Sequence, residues 1–191
     1  PFVEVDSGGA DEGTPPAPLG EYAMSCLGRE RIFQHFSAAR GTPTVLIRLN
    51  YANELRYGVL VDLAQKVLSA QRIDLSMGYV NVIWQGDANN YIARSLALAS
   101  SPASVLNVAG PEVLSVRRLA ERIAALAGTK ARFTGTEQST ALLSDSSRCL
   151  ELFGQPAVSP DWMLCAAVDW VRRGEKTLNK PTKYQVRDGK F

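Results

Sequence analysis

The sequence predicts an α/β fold, a parallel sheet with helices on its faces. Segments with apolar residues at three- and four-residue steps alternate with short apolar runs, the pattern of strand–helix–strand units. Two of these runs, TVLIRLNY at 44–51 and VLNVAG at 105–110, lack polar alternation, as strands buried on both faces do. A third observation limits the sheet: only those two runs are strongly apolar, and no glycine-rich turn follows a strand and opens a helix. So thin a sheet leaves strand edges open, and another chain or segment should cover them.

Residues 1–20 hold four prolines and four glycines after a short apolar start and read as a surface loop. From Glu21 to Ala39, Tyr22, Cys26, Leu27, Ile32, Phe33 and Phe36 outline an amphipathic helix ended by Gly41 and Pro43. The strand 44–51 follows, then a helix over 58–70 and a strand over 73–84. DANNYIARSLALAS is helical with Asp87 at its N-cap, and VLNVAG is the second buried strand. Ser115 caps SVRRLAERIAALAG, which stops on Gly128, and ARFTG is a weak strand. LLSDSSRCLELFG forms a short helix with Asp145 near its start, and Ser159-Pro160 opens a last helix that closes at Gly174.

Composition excludes several classes of function. With 21 Lys+Arg against 19 Asp+Glu the net charge is +2 and the basic residues are scattered, so no nucleic-acid footprint is present. Only the tail KPTKYQVRDGK is locally basic, and it reads as a solvated terminus. Three cysteines without CxxC spacing, beside a single His35, indicate neither a disulfide framework nor a metal site. Cys149 and Cys165 fall on apolar helix faces and read as buried, inert thiols. A reducing, cytoplasmic setting is the expectation, with no apolar run of membrane-spanning length and no signal peptide. The sequence starts at Pro1 with no Met, as a piece of a longer protein would.

In their order, the Tyr22 helix, TVLIRLNY, VNVIWQGDANNYIARSLALA, LNVAGPEVLSVRRLAERIAALAG and LLSDSSRCLELFG resemble the C-terminal portion of the extended short-chain dehydrogenases, the NAD-dependent epimerase/dehydratase family. The resemblance covers about residues 18 to 174. It implies a partial Rossmann-like parallel sheet with a C-terminal substrate-binding α/β portion. The corresponding divisions are a loop at 1–20, the end of the Rossmann-like domain at 21–110, a substrate-binding portion at 111–174 and a tail at 175–191. It implies NAD or NADP as cofactor of the intact protein, not retained by this piece, because the family's glycine-rich nucleotide loop lies in the absent first half. It also implies a small-molecule substrate, a sugar or sugar derivative with a reactive hydroxyl, and a homodimer through the Tyr22 helix.

Family members carry Tyr-x-x-x-Lys on that helix, and residues four apart share a helix face. The lysine holds the cofactor ribose and lowers the tyrosine pKa, so that the phenol moves a proton to or from the substrate hydroxyl. Tyr22 matches the tyrosine, but Cys26 stands where the lysine belongs, and an ordinary thiol is mostly neutral at neutral pH. Arg29, near the same face, is the candidate to lend charge on the cofactor side. Asn50 matches an asparagine that contacts substrate phosphate. Two phosphate-binding arginines of the family fall here on Met77 and Gly135, which leaves Arg56, Arg48 or Arg94 as replacements. Asp87 and Asp145 match positions that start helices. A Cys26–His35 pair is excluded, because nine residues of helix put the two on opposite faces. The rival reading is a degenerate, non-catalytic domain that binds a small molecule or a protein.

Overall fold

The computed structural model describes residues 1–190. The chain runs β1 (Val3–Glu4), α1 (Gly20–Arg40), β2 (Val45–Leu49), β3 (Ala52–Asn53), α2 (Val59–Leu68), β4 (Arg72–Asp74), β5 (Tyr79–Val80) and β6 (Ile83–Trp84). It continues through α3 (Gln85–Arg94), β7 (Ser104–Val108), β8 (Leu114–Ser115), α4 (Val116–Ala127), β9 (Arg132–Thr134), β10 (Thr140–Ala141), α5 (Ser147–Phe153) and α6 (Pro160–Arg172). No helix among the described residues is long and apolar enough to cross a membrane.

The two runs that read as buried strands pair with each other. β2 and β7 are parallel, in register from Val45 opposite Ser104 to Leu49 opposite Val108, and the crossover between them carries α2 and α3. Leu106 and Val108 are fully buried, but β2 is half-buried and ends on an exposed Leu49. The expectation of a strand covered on both faces therefore holds for β7 alone. Among the described residues β2 has no second strand partner. Shorter parallel pairs join β3 to β6 and β4 to β9, and antiparallel ones join β1 to β10 and β5 to β8.

Two apolar clusters hold these pieces. The larger packs α2, α4 and α6 around Leu63, Ala64, Ile123 and Leu164, each 0–1% exposed, and burying a leucine or isoleucine fully stabilises by roughly 1.5–3 kcal/mol. The smaller sets Leu106 and Val108 against Ile83, Ala88, Tyr91 and Cys149, so that α3 and α5 cover β7. Local chemistry fixes the helix ends: the Ser115 side chain accepts from the Arg118 amide and that of Ser159 from the Trp162 amide. Gly128 is left-handed at φ 66° after α4, as the sequence indicates.

Several sequence expectations are corrected. The 1–20 segment is not only loop, since β1 pairs with β10 and Ala10 bridges to Ser144. The single strand expected over 73–84 is three short ones, because the Asp74 carboxylate accepts from the Ser76 amide and turns the chain there. Asp87 is not an N-cap: α3 starts earlier, at Gln85, and the Asp87 carboxylate accepts from the Val158 amide. Cys165 is exposed, whereas Cys149 is buried and burial pushes its thiol up to about 11.

The largest correction concerns the tail. Tyr184 is 5% exposed, with the Lys66 ammonium over its ring. The Thr182 amide and hydroxyl both donate to the Asp62 carboxylate. An aromatic ring and an arginine give this basic segment enough apolar surface to dock, which its charge alone conceals.

Candidate functional site

A cleft of about 820 Å³ opens between α1 and β2. Tyr22, Cys26, Arg29 and Phe33 line one wall. Their spacing of four, three and four residues keeps them on one side of α1. β2 and Asn50 form the facing wall, and Asn107, Leu142–Ser144 and the tail at Val186, Arg187 and Gly189 complete it. The tail reaches this far because Gly20 and Gly189 meet backbone to backbone: a Cβ on Gly20 would lie 2.2 Å from the Gly189 carbonyl oxygen. Both have positive φ, 78° and 73°.

Tyr22 and Cys26 are hydrogen-bonded across one turn, and the phenol titrates above its ordinary range. The charge of the Cys26 thiolate is the main cause, the hydrogen bond the next, and partial burial adds to both. Arg29 acts in the opposite direction but more weakly, so it does not take over the lysine's effect on the phenol.

Asn50 sits where β2 ends. Its backbone amide donates to the Val108 carbonyl, and its side-chain amide donates to Asn81 Oδ1 at 3.0 Å and to the Leu142 carbonyl at 3.1 Å. Asn81 in turn donates to the Ser144 and Gly110 carbonyls, and Asn107 to those of Ala10 and Asp145. These buried amides satisfy loop carbonyls that no strand can reach, and they tie the strand ends to the 142–145 segment. Sequence reasoning passed over Asn81 and Asn107. The available signal was an amide inside an otherwise apolar run, VNVIW and LNVAG.

Tyr51 follows with φ 44°, a left-handed conformation that a non-glycine residue seldom holds. Its hydroxyl is buried and meets no hydrogen-bond partner among the described residues. Burial raises its pKa, and the positive charge of Arg187 opposes that rise.

The other arginines have assigned partners. Arg48 grips Glu30 with Nε at 3.0 Å and Nη2 at 2.6 Å, and its Nη1 donates to the Glu12 carbonyl. Hydrogen bonds from Arg48 are the main reason the Glu30 carboxyl lies below the usual range. Arg94 donates to the Phe153 carbonyl and lies over its ring. Arg56 pairs with Glu54 at 3.0 Å and lines a second hollow between α2 and the tail, so it is not brought to the Tyr22 cleft. Met77 is fully buried, and Gly135 lies beside the Asp74 carboxylate. Asp145 accepts from the Ser147 amide at the start of α5.

A dinucleotide needs a glycine-rich turn between a strand and a helix N-terminus. Among the described residues α2, α3 and α4 open after Gly58, Trp84 and Ser115, none of them in such a turn. Cys26 also offers the cofactor no cation. The residues that line the cleft include no such turn.

No family model and no curated protein matches the sequence. Solved structures do. The dTDP-glucose 4,6-dehydratase of Bacillus anthracis in complex with NAD aligns at TM-score 0.72 and 16% identity, over 88% of this chain and 57% of its own. The UDP-glucose 4-epimerase of Thermus thermophilus with NAD aligns at 0.71 and 19%, over 87% and 58%. A variant of Bacillus cereus UDP-glucuronic acid 4-epimerase, bound to NAD and a fluorinated UDP-sugar, aligns at 0.74 and 18%, over 87% and 57%. The chain therefore spans less than three-fifths of the length of these enzymes. Likeness at this identity is likeness of fold, and the fold of this chain is that of the C-terminal portion of the NAD-dependent epimerases and dehydratases.

Proposed function

We propose that this chain is the substrate-side part of an NAD(P)-dependent oxidoreductase acting on a hydroxyl of a sugar or sugar derivative. The observation that carries the reading is the shared cleft: Tyr22 on α1 faces Asn50 at the end of β2, within a fold shared with enzymes that bind NAD. Tyr22 exchanges the hydroxyl proton of the substrate, and Asn50, its amide held by Asn81 and Leu142, presents a fixed carboxamide oxygen to it. Beside Cys26 the phenol is held protonated, which suits it to give a proton better than to take one. The nicotinamide cofactor is the oxidant or reductant, and the rest of the intact protein holds it, so the 191-residue chain by itself binds NAD(P) weakly or not at all. A cytoplasmic setting belongs to the same reading.

A homodimer through α1 is part of the proposal. Of the 21 residues of α1 only Ser37 is buried, and Met24, Ile32 and Phe36 are 47–59% exposed. At about 100° per residue Met24 falls opposite Tyr22 and Ile32 about 80° to one side, whereas Phe36 lies within about 40° of Tyr22, at the edge of the cleft face. A second helix of the same kind fits these exposed apolar side chains.

The test is turnover by the protein as its own organism makes it, given NAD⁺ or NADP⁺ with a UDP- or dTDP-hexose and followed by nicotinamide fluorescence. Reduction of the cofactor that falls about 10²–10⁴-fold in Tyr22→Phe supports the reading. If no cofactor binds and none is reduced, the non-catalytic binding domain is the better account. The raised Tyr22 pKa is the observation that favours that second reading.

A further inference from the structure

The basic residues are scattered along the sequence, but the fold gathers five of them around one hollow. It measures about 690 Å³ and lies between α2, the end of α6 and the tail. Arg56 enters it from the turn before α2, Lys66 from α2, Arg172 from the last turn of α6, and Lys180 and Lys183 from the tail. Asp62 is the one carboxylate among the lining residues, and its Oδ2 already accepts from the Thr182 amide and hydroxyl. Arg56 is paired with Glu54. Among the described residues the other four cations are in no ion pair. The hollow shares no lining residue with the Tyr22 cleft.

The contacts that hold these cations are neutral. The Lys66 ammonium sits 5.6 Å from the centre of the Tyr184 ring, and Arg172 Nη2 donates to the Leu126 carbonyl at 3.1 Å. A ring face or a carbonyl orients a cation and leaves its charge unspent. The loop that carries Lys180 is pinned to α2 at both ends: Gln65 donates to the Thr177 hydroxyl at 3.2 Å, and the Thr182 amide donates to Asp62 at 2.9 Å. Four unpaired cations against one carboxylate leave a surplus of three positive charges facing one concave space. A hollow lined by one sign of charge concentrates ions of the other.

We propose that this hollow is a binding site for a small anion bearing a triphosphate group, separate from the substrate cleft. Its size and shape fit a compact ligand. The volume lies within the roughly 300–1,000 Å³ of small-molecule sites, and the cations converge from three sides, where a polymer would need them along one stripe. Charge selects the triphosphate: it carries about four negative charges near neutral pH, enough to balance the surplus, whereas the diphosphate of a nucleotide-linked sugar carries about two. The group can come from a nucleoside triphosphate or from inorganic tripolyphosphate. The tail that supplies Lys180 and Lys183 runs on into the wall of the Tyr22 cleft at Val186 and Arg187, so an anion held here fixes one end of a segment whose other end borders that cleft.

Inorganic tripolyphosphate and ATP are the probes, each titrated calorimetrically into the 191-residue chain at fixed ionic strength in chloride. Saturable binding of tripolyphosphate is expected, weakened at least about tenfold in the double variant Lys66→Gln/Lys183→Gln. Because Lys66 also packs on Tyr184, Lys180→Glu at an exposed position is the second variant, and it should weaken binding at least about threefold. Arg118→Glu, exposed and outside the hollow, makes the same change in net charge and should leave the affinity as it is. Tighter binding of ATP supports a nucleotide as the source, and equal affinity supports the bare polyphosphate. No saturable binding, an affinity unchanged in Lys180→Glu, or an equal loss in Arg118→Glu overturns the proposal. So does displacement of tripolyphosphate by a UDP-hexose, or binding of hexaglutamate without binding of tripolyphosphate. None of these measurements involves nicotinamide cofactor or turnover, so this site and the oxidoreductase reading stand or fall separately.

Discussion

One helical turn apart on α1, the side chains of Tyr22 and Cys26 are hydrogen-bonded, so a thiol and not a cation is the dominant neighbour of the phenol. The thiol raises the phenol pKa, as any anionic or proton-accepting neighbour does.

Replacing the thiol should therefore move the titration in a known direction. Cys26→Ala lowers the Tyr22 pKa toward that of an ordinary tyrosine, and Cys26→Lys lowers it further. ¹³C-tyrosine NMR, with Tyr22→Phe to assign the resonance, follows the ionisation. An unchanged midpoint in both variants would show that Cys26 does not control the phenol.

The Glu30–Arg48 pair predicts a pH dependence of stability. The folded-state pKa of Glu30 lies below its unfolded value, so its contribution is complete above the unfolded value near 4.5 and is lost as pH falls through the folded pKa. Both side chains are at most a quarter exposed, and a double-mutant cycle at neutral pH should give a coupling on the order of 1 kcal/mol, the upper end for surface pairs. With Glu30→Gln the acid limb of the urea midpoint should flatten. A limb of unchanged slope assigns acid sensitivity to other groups.

Tyr184 offers a test of opposite sign. Its hydroxyl is buried with no partner among the described residues, and burial raises its pKa. Removing an unsatisfied polar atom while keeping the ring leaves stability unchanged or raises it by up to about 1 kcal/mol, whereas Tyr184→Ala empties a core position and costs roughly 3–5 kcal/mol. Urea denaturation of both variants measures this. A large loss in Tyr184→Phe would reveal a partner for the hydroxyl.

At exposed positions of α1, Ile32→Glu and Phe36→Glu should convert a dimer to a monomer in light scattering without loss of helix content, since neither side chain is buried within the chain. A monomeric wild type would end the dimer proposal.

The alternation of helices and strands was legible because it is written in local terms. The periods of α2, α4 and α6, the Ser115 and Ser159 caps and the glycines after helices act within a few residues, and the structure has each of them where the sequence puts it. The strand over 73–84 was misread because an apolar run does not reveal the Asp74 turn that interrupts it. On the candidate site, spacing on one helix was enough to bring Tyr22, Cys26 and Arg29 to the same wall, and Asn50 followed from its place after a strand. Arg56 was close in sequence but turned to Glu54.

By itself, then, the sequence determined the order of the helices, the fold class and the helical face that bears Tyr22, since each depends on period and on neighbours along the chain. Only the tertiary structure decided that Arg187 stands across the cleft from that face, that Asn81 and Asn107 tie down its floor, and that the basic tail is docked. Those depend on contacts between residues far apart in the chain, such as Thr182 and Asp62 at 120 positions, where charge and composition carry no information about partners and only the packed chain brings them together.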